Sequence, residues 1–201
     1  MTVSAAQSAD AKSGGVLDRA DPRWLRLQEI IRVQSLKTGT FTLSSGRTST
    51  YLFQLRQTTM LPEGAALLGD IIVDYMKRQG IACIGGLEMG AVPIVAATAA
   101  VSHLKQYPVD AFFVRKAAKE HGARERIDGF LRAGAEVLMI DDVATTGGSI
   151  LKAIEGIEGH GCQIRGALAV VDREEGAAQN LAAQGIKLAA IFKRSDFLEI
   201  L

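Results

Sequence analysis

The residues best suited to chemistry lie close together between Val137 and Ser149, in the stretch VLMIDDVATTGGS. Asp141 and Asp142 are adjacent carboxylates, able to accept hydrogen bonds from two vicinal hydroxyls. Directly after them come Val143, Ala144, Thr145, Thr146, Gly147, Gly148 and Ser149. At the start of a helix, such small residues offer unpaired backbone N–H groups and hydroxyls to an anion, and the positive end of the helix dipole adds to the attraction. A ligand with both a diol and a phosphate, such as a ribose bearing a 5-phosphate, would span the pair and the loop. Each piece also has a plainer reading. An Asp-Asp pair ending a strand can hold Mg²⁺, and TTGGS can be an ordinary loop and helix cap.

Three further groups have chemical potential. GGLEMGAVPI, Gly85 to Ile94, is glycine-rich and would let a backbone approach an anion closely, although many turns between a strand and a helix contain glycine. Arg115, Lys116, Lys119 and His121 follow an apolar run and collect positive charge, or they form a solvated loop. Arg173, in VVDREEG, presents a planar fork of donors suited to a carboxylate, or it pairs with a neighbouring Glu.

The elements that must position these groups can be read from apolar periodicity. Short branched runs near residues 81–84, 110–114, 137–140, 166–171 and 187–192 predict buried strands. Helical spacing predicts helices from Arg23 to before Gly39, from Pro62 to Gly80, over PIVAATAAVSHL, from Ile150 to about Gly159, and over Ala177 to Ala183. Alternation around Ser44-Ser45-Gly46-Arg47 predicts a hairpin within residues 41–56. The fold class is therefore α/β, with a mainly parallel central sheet covered by helices on both faces. Ligands in such sheets lie beyond the carboxyl ends of the strands, and all four groups of chemical residues follow strands at that edge.

Composition sets outer limits. With 201 residues, 48% of them hydrophobic and 22% charged, the chain suits one domain with a full core. A formal net charge of +1 gives no general reason to expect nucleic-acid or membrane binding. Cys83 and Cys162 are the 2 cysteines, in apolar or Gly-flanked settings that suit a reducing compartment and no metal site. Residues 1–22 are expected to be a disordered extension without a secretory signal, followed by a single domain over 23–201.

The strand, the two acids and the Thr- and Gly-rich loop together resemble the phosphoribosyl diphosphate (PRPP) signature of type I phosphoribosyltransferases. FTLSSGRTSTYLFQLR, Phe41 to Arg56, is similar to the N-terminal segment of orotate phosphoribosyltransferases, with Thr50 where Pro is common, Gln54 where Asp is common, and Ser44 where some members have Lys. RKAAKEHG resembles the mobile loop of the same family. This resemblance implies PRPP binding by Arg115, Lys116, Lys119, His121 and residues 141–149. It implies orotate contacts from Thr145, Arg173 and Phe53, and a small N-terminal hood formed by residues 23–60 and the C-terminal segment. It also implies a catalytic Lys119 with His121 beside it, and Mg²⁺ held mainly through the pyrophosphate, with no dedicated protein ligand. A cytoplasmic homodimer is implied as well, its mobile loop reaching the partner's site. Gly90 stands where some members carry Lys, which would leave backbone amides to face the pyrophosphate. A purine-specific relative and a non-catalytic PRPP sensor are the alternatives.

Overall fold

The computed structural model describes residues 15–42, 48–117 and 126–198. Helix α1, Pro22–Ile30, begins with proline in its first turn and an Asp21 carboxylate that accepts from Arg23 N. It continues as one π-helical stretch, Ile31–Ser35. Strand β1, Leu36–Thr42, then pairs antiparallel with β2, Thr48–Phe53. Apolar spacing carries the first helix on towards Gly39, but the pairing of Leu36 with Phe53 takes those residues into the ribbon. The expected hairpin is present, while its Ser44–Arg47 turn lies outside the described residues. A four-residue helix α2, Arg56–Thr59, and the long α3, Pro62–Gln79, follow.

The remaining elements build the sheet. They are β3 (Cys83–Leu87), α4 (Ala91–Leu104), β4 (Asp110–Val114), β5 (Ile127–Gly129), β6 (Glu136–Ala144), α5 (Gly148–Glu155), β7 (Gln163–Asp172), α6 (Ala177–Ala182), β8 (Leu188–Lys193) and α7 (Ser195–Leu198). The six strands lie in the order β5-β4-β3-β6-β7-β8. All neighbouring pairs are parallel except β4 with β5. Leu87, Val114, Ala144, Asp172 and Lys193 consequently end their strands at one edge.

Period-two alternation divides the core between the two faces of the sheet. On β6, Leu138 and Ile140 join Ile71, Ile72, Ile84 and Ile94 on the face covered by α3 and α4. Val137 and Met139 join Phe112, Ile150 and Ile157 on the other. Gly85 and Gly86 belong to the fully buried β3 and not to a turn. A Cβ on Gly85 would lie 2.1 Å from Cζ of Phe112, so that ring fills the space a side chain would need.

The ribbon is fastened to the sheet by aromatic packing. Ring centroids of Phe53 and Phe197 are 5.3 Å apart, those of Phe197 and Phe192 5.5 Å, and those of Phe192 and Trp24 4.9 Å. Trp24 Nε1 donates to Ile191 O at 3.0 Å, which satisfies the one polar atom of that ring. The start of the described chain is packed as well. Val16 is buried and its carbonyl accepts from Arg78, so residues 15–21 lie on the domain, whereas the sequence suggests a disordered segment reaching residue 22. Residues 1–14 lie outside the described residues.

Candidate functional site

Strand β6 carries the carboxylate pair. The apolar run ends at Ile140, but pairing with β7 continues through Asp141 with Ala169, Val143 with Val171, and Ala144 with Asp172. Both carboxylates therefore stand on the sheet itself, two or three residues before its edge. Asp141 is buried and Asp142 partly exposed. Asp142 N donates to Asp141 Oδ1 at 3.1 Å, and Val143 N donates to Asp142 Oδ1 at 2.9 Å. Burial raises the Asp141 carboxyl well above the ordinary carboxylate range; the adjacent Asp142 charge adds to the rise, while Lys116 opposes it.

The turn after β6 is short. Ala144, expected in a flexible run, is the buried last residue of the strand, and Gly147 at φ 82° leads into α5. No side chain caps α5, so its first N–H groups remain available to an anion. Thr146 O accepts from Asn180 Nδ2 at 2.9 Å, which ties the turn to α6. The sequence offers no signal for Asn180, whose contact depends on how α6 packs.

Opposite the pair lies the turn from Leu87 to Gly90, which holds a cis peptide between Glu88 and Met89. Glu88 joins this turn to the next strand end: its N–H donates to Val114 O at 2.8 Å, and its Oε1 accepts from Lys116 N at 2.9 Å. Arg56, Leu87, Glu88, Met89, Gly90, Lys116, Asp141, Asp142 and Ser149 enclose a cavity of about 290 Å³. A larger groove of about 720 Å³, lined by residues 52–57 and 60–62, adjoins it and shares Arg56 and Asp142.

The predicted basic cluster is only partly assembled at this cavity. Lys116 lines it, whereas Arg115 Nη1 reaches Asp128 Oδ2 at 3.0 Å across the β4–β5 pair. Lys119 and His121 lie outside the described residues, as does Ser44. Arg173 lines a separate cavity of about 290 Å³ with Thr48, Ser49, Thr50, Tyr51, Glu175 and Arg194. Arg173 is 4% exposed; its guanidinium donates from Nε to Glu175 Oε1 at 2.8 Å and from Nη2 to Ser49 Oγ at 3.3 Å, and lies 4.6 Å from the Tyr51 ring centroid. The anticipated pairing with a neighbouring Glu is thus present. Phe53 borders the larger groove, but its ring is mostly buried between Tyr51 and Phe197. Apolar periodicity does not mark Arg56 and Glu88 as site residues, because only the folded turns bring them beside the aspartates.

A model of the phosphoribosyl transferase domain matches residues 56–187. The parallel sheet and the site at its carboxyl edge thus define a phosphoribosyltransferase. An orotate phosphoribosyltransferase of Bradyrhizobium sp. (strain ORS 278) is 48% identical over 177 residues, spanning 86% of this chain and 96% of the relative. The orotate phosphoribosyltransferase of Mycobacterium tuberculosis H37Rv, solved with Fe(III) dicitrate, superposes with a TM-score of 0.76 at 35% identity, covering 87% of this chain and 98% of that one. The same enzyme solved with PRPP gives a TM-score of 0.72 at 32% identity, with the same coverage. The chain belongs to the orotate phosphoribosyltransferase family.

Proposed function

We propose that the protein transfers the 5-phosphoribosyl group of PRPP to N1 of orotate, giving orotidine 5′-monophosphate and pyrophosphate for pyrimidine (UMP) biosynthesis. The observation that carries this reading is the single cavity in which Asp141 and Asp142 meet both Ser149, at the uncapped start of α5, and the Leu87–Gly90 turn. Those three parts match the three parts of PRPP. The 5-phosphate sits on the Thr145–Ser149 amides and hydroxyls, the ribose diol on the aspartates, and the pyrophosphate against the turn. Binding of PRPP by the M. tuberculosis relative supports the assignment.

As the C1–O bond breaks, positive charge grows on the ribose ring and negative charge on the departing pyrophosphate. The carboxylates stabilise the first. Lys116, with Lys119, His121 and Arg115 from the loop after β4, meets the second, and Lys119 is the proposed catalytic residue. The carboxylates of Asp141 and Asp142 line the cavity that would take the substrate. Mg²⁺ would be held mainly through the pyrophosphate oxygens of the substrate, and when bound it would neutralise pyrophosphate charge. Arg173 and Thr145 contact orotate, with Phe53 beside them.

A homodimer in which the loop carrying Arg115 to His121 serves the partner's site completes the proposal. The exposure of Met60 and Met89 around the cavities supports an apolar contact there. No helix among the described residues is long and apolar enough to cross a membrane, and the two free thiols fit a cytoplasmic enzyme.

Loss of orotate absorbance on mixing protein, PRPP and Mg²⁺ tests the reaction. Consumption of a different base in place of orotate would move the assignment to another phosphoribosyltransferase. Absence of any reaction would favour a PRPP-binding regulator.

A further inference from the structure

The Leu87–Gly90 turn contains no cation, and a side chain at its last position would have to displace the Asp142 carboxylate or the turn. A Cβ on Gly90 would lie 2.4 Å from Asp142 Oδ1 and 2.7 Å from its Cγ. Yet the side of the cavity formed by this turn also carries the Glu88 carboxylate, which by itself would repel a pyrophosphate. Positive charge must come from another element. Among the described residues lining the cavity, only Lys116 and Arg56 supply it.

Lys116 shares the cavity with Asp141, and its backbone N–H is held by the Glu88 carboxylate. Arg56 is different. It opens α2, directly after the ribbon, and its guanidinium makes no hydrogen bond or ion pair with the described residues. It is exposed, and it lies where the site cavity meets the larger groove, a position shared only with Asp142. An uncommitted guanidinium at the mouth of a site for a polyphosphate is well matched to bidentate phosphate contact, because its planar fork fits two phosphate oxygens at once.

On the reading that the cavity takes PRPP, we infer that Arg56 is a ligand of the pyrophosphate group, supplying from the ribbon side the charge that the Gly90 turn lacks. This role binds the leaving group and leaves ribose and 5-phosphate recognition to Asp141, Asp142 and the Thr145–Ser149 turn. Since the Arg56 side chain is exposed and has no hydrogen-bond or ion-pair partner among the described residues, replacing it removes no such bond from the described fold.

The test is calorimetric titration of the full-length protein and of Arg56→Gln and Arg56→Lys with Mg-PRPP, Mg-pyrophosphate and ribose 5-phosphate. Loss of one charge-assisted contact should weaken PRPP and pyrophosphate binding about tenfold to hundredfold in Arg56→Gln. Arg56→Lys should recover part of this loss, and ribose 5-phosphate should bind both variants as it binds the parent. Unchanged PRPP affinity in Arg56→Gln overturns the inference, as does an equal loss for ribose 5-phosphate, which would mean that the cavity as a whole had changed. Failure of the parent protein itself to bind PRPP overturns the proposed function along with it, so the two failures are distinguishable.

Discussion

Asp142 occupies the space that a side chain at residue 90 would need, with its Oδ1 2.4 Å from where a Cβ on Gly90 would stand. The backbone of the turn after β3 thereby reaches the carboxylate pair on β6 without an intervening side chain. Gly90→Ala must displace either the carboxylate or the turn. Its kcat/KM for PRPP should fall by about tenfold or more, the equivalent of roughly 1.4 kcal/mol in transition-state stabilisation. Steady-state kinetics with PRPP varied at saturating orotate measure this, and an unchanged value would show that Asp142 yields freely.

Asp141 should trade stability against activity. Its carboxyl is raised above the ordinary range chiefly by burial, then by the charge of Asp142. The folded protein therefore holds this proton more tightly than the unfolded chain does. Stability contributed by the protonated form is lost as pH rises from the ordinary carboxylate value through the raised folded one. Asp141→Asn is neutral at every pH, so its Tm should exceed that of the parent near pH 7 and converge with it towards pH 3, while phosphoribosyl transfer drops. Thermal unfolding across that range decides the matter; a variant less stable than the parent at pH 7 would mean that the fold favours the ionised carboxylate.

Arg173 sits in its own cavity, apart from the carboxylate pair, and its replacement should affect one substrate only. Arg173→Gln is expected to raise the KM for orotate by about tenfold or more, as for loss of a charged hydrogen bond, with PRPP affinity little altered. Parallel titrations of the two substrates separate these effects. Equal weakening of both would place Arg173 in a shared structural role.

The aromatic chain from Trp24 to Phe53 makes the β1–β2 ribbon depend on the C-terminal segment. Phe197 is 1% exposed and touches both Phe53 and Phe192. Phe197→Ala should lower stability by about 3–5 kcal/mol, measured by chemical denaturation. A loss below about 1 kcal/mol, well short of the usual cost of such a truncation, would mean that the ribbon holds its place without that ring.

Local patterns foretell the parts of the molecule that local physics decides. The five parallel strands, the helices of the sheet layers and the strand, two acids, turn and helix from Val137 onward can all be read in order, because branched runs and helical spacing leave few alternatives there. What escapes is decided by pairing across the chain. Two aspartates are poor strand formers, so apolar patterning ends β6 at Ile140, whereas its ladder with β7 extends it to Ala144. Leu36 fits a helical pattern, yet Phe53 stands opposite it in the ribbon. The three residues of β5 carry too little pattern to announce a strand, and their antiparallel pairing with β4 makes one. Within the site, Asp141, Asp142, Ser149 and Lys116 meet as their spacing suggests. Arg56, Glu88 and Asn180 enter from turns whose directions no periodicity encodes.

The extension of β6 through both aspartates gives the site two unequal mechanical halves. The proposed seat for the sugar is part of an interior strand paired on both sides, with β3 and β7, and opens only if the sheet itself opens. The compartment around Arg173 is lined by β2 of a two-stranded ribbon that is not part of the sheet and packs on it through tilted and edge-on rings, an attachment expected to open more readily than the sheet. Amide exchange should therefore be slowest at Met139–Val143 and faster along Thr48–Phe53, and on warming the protein should lose its choice of base before it loses its grip on the phosphorylated sugar.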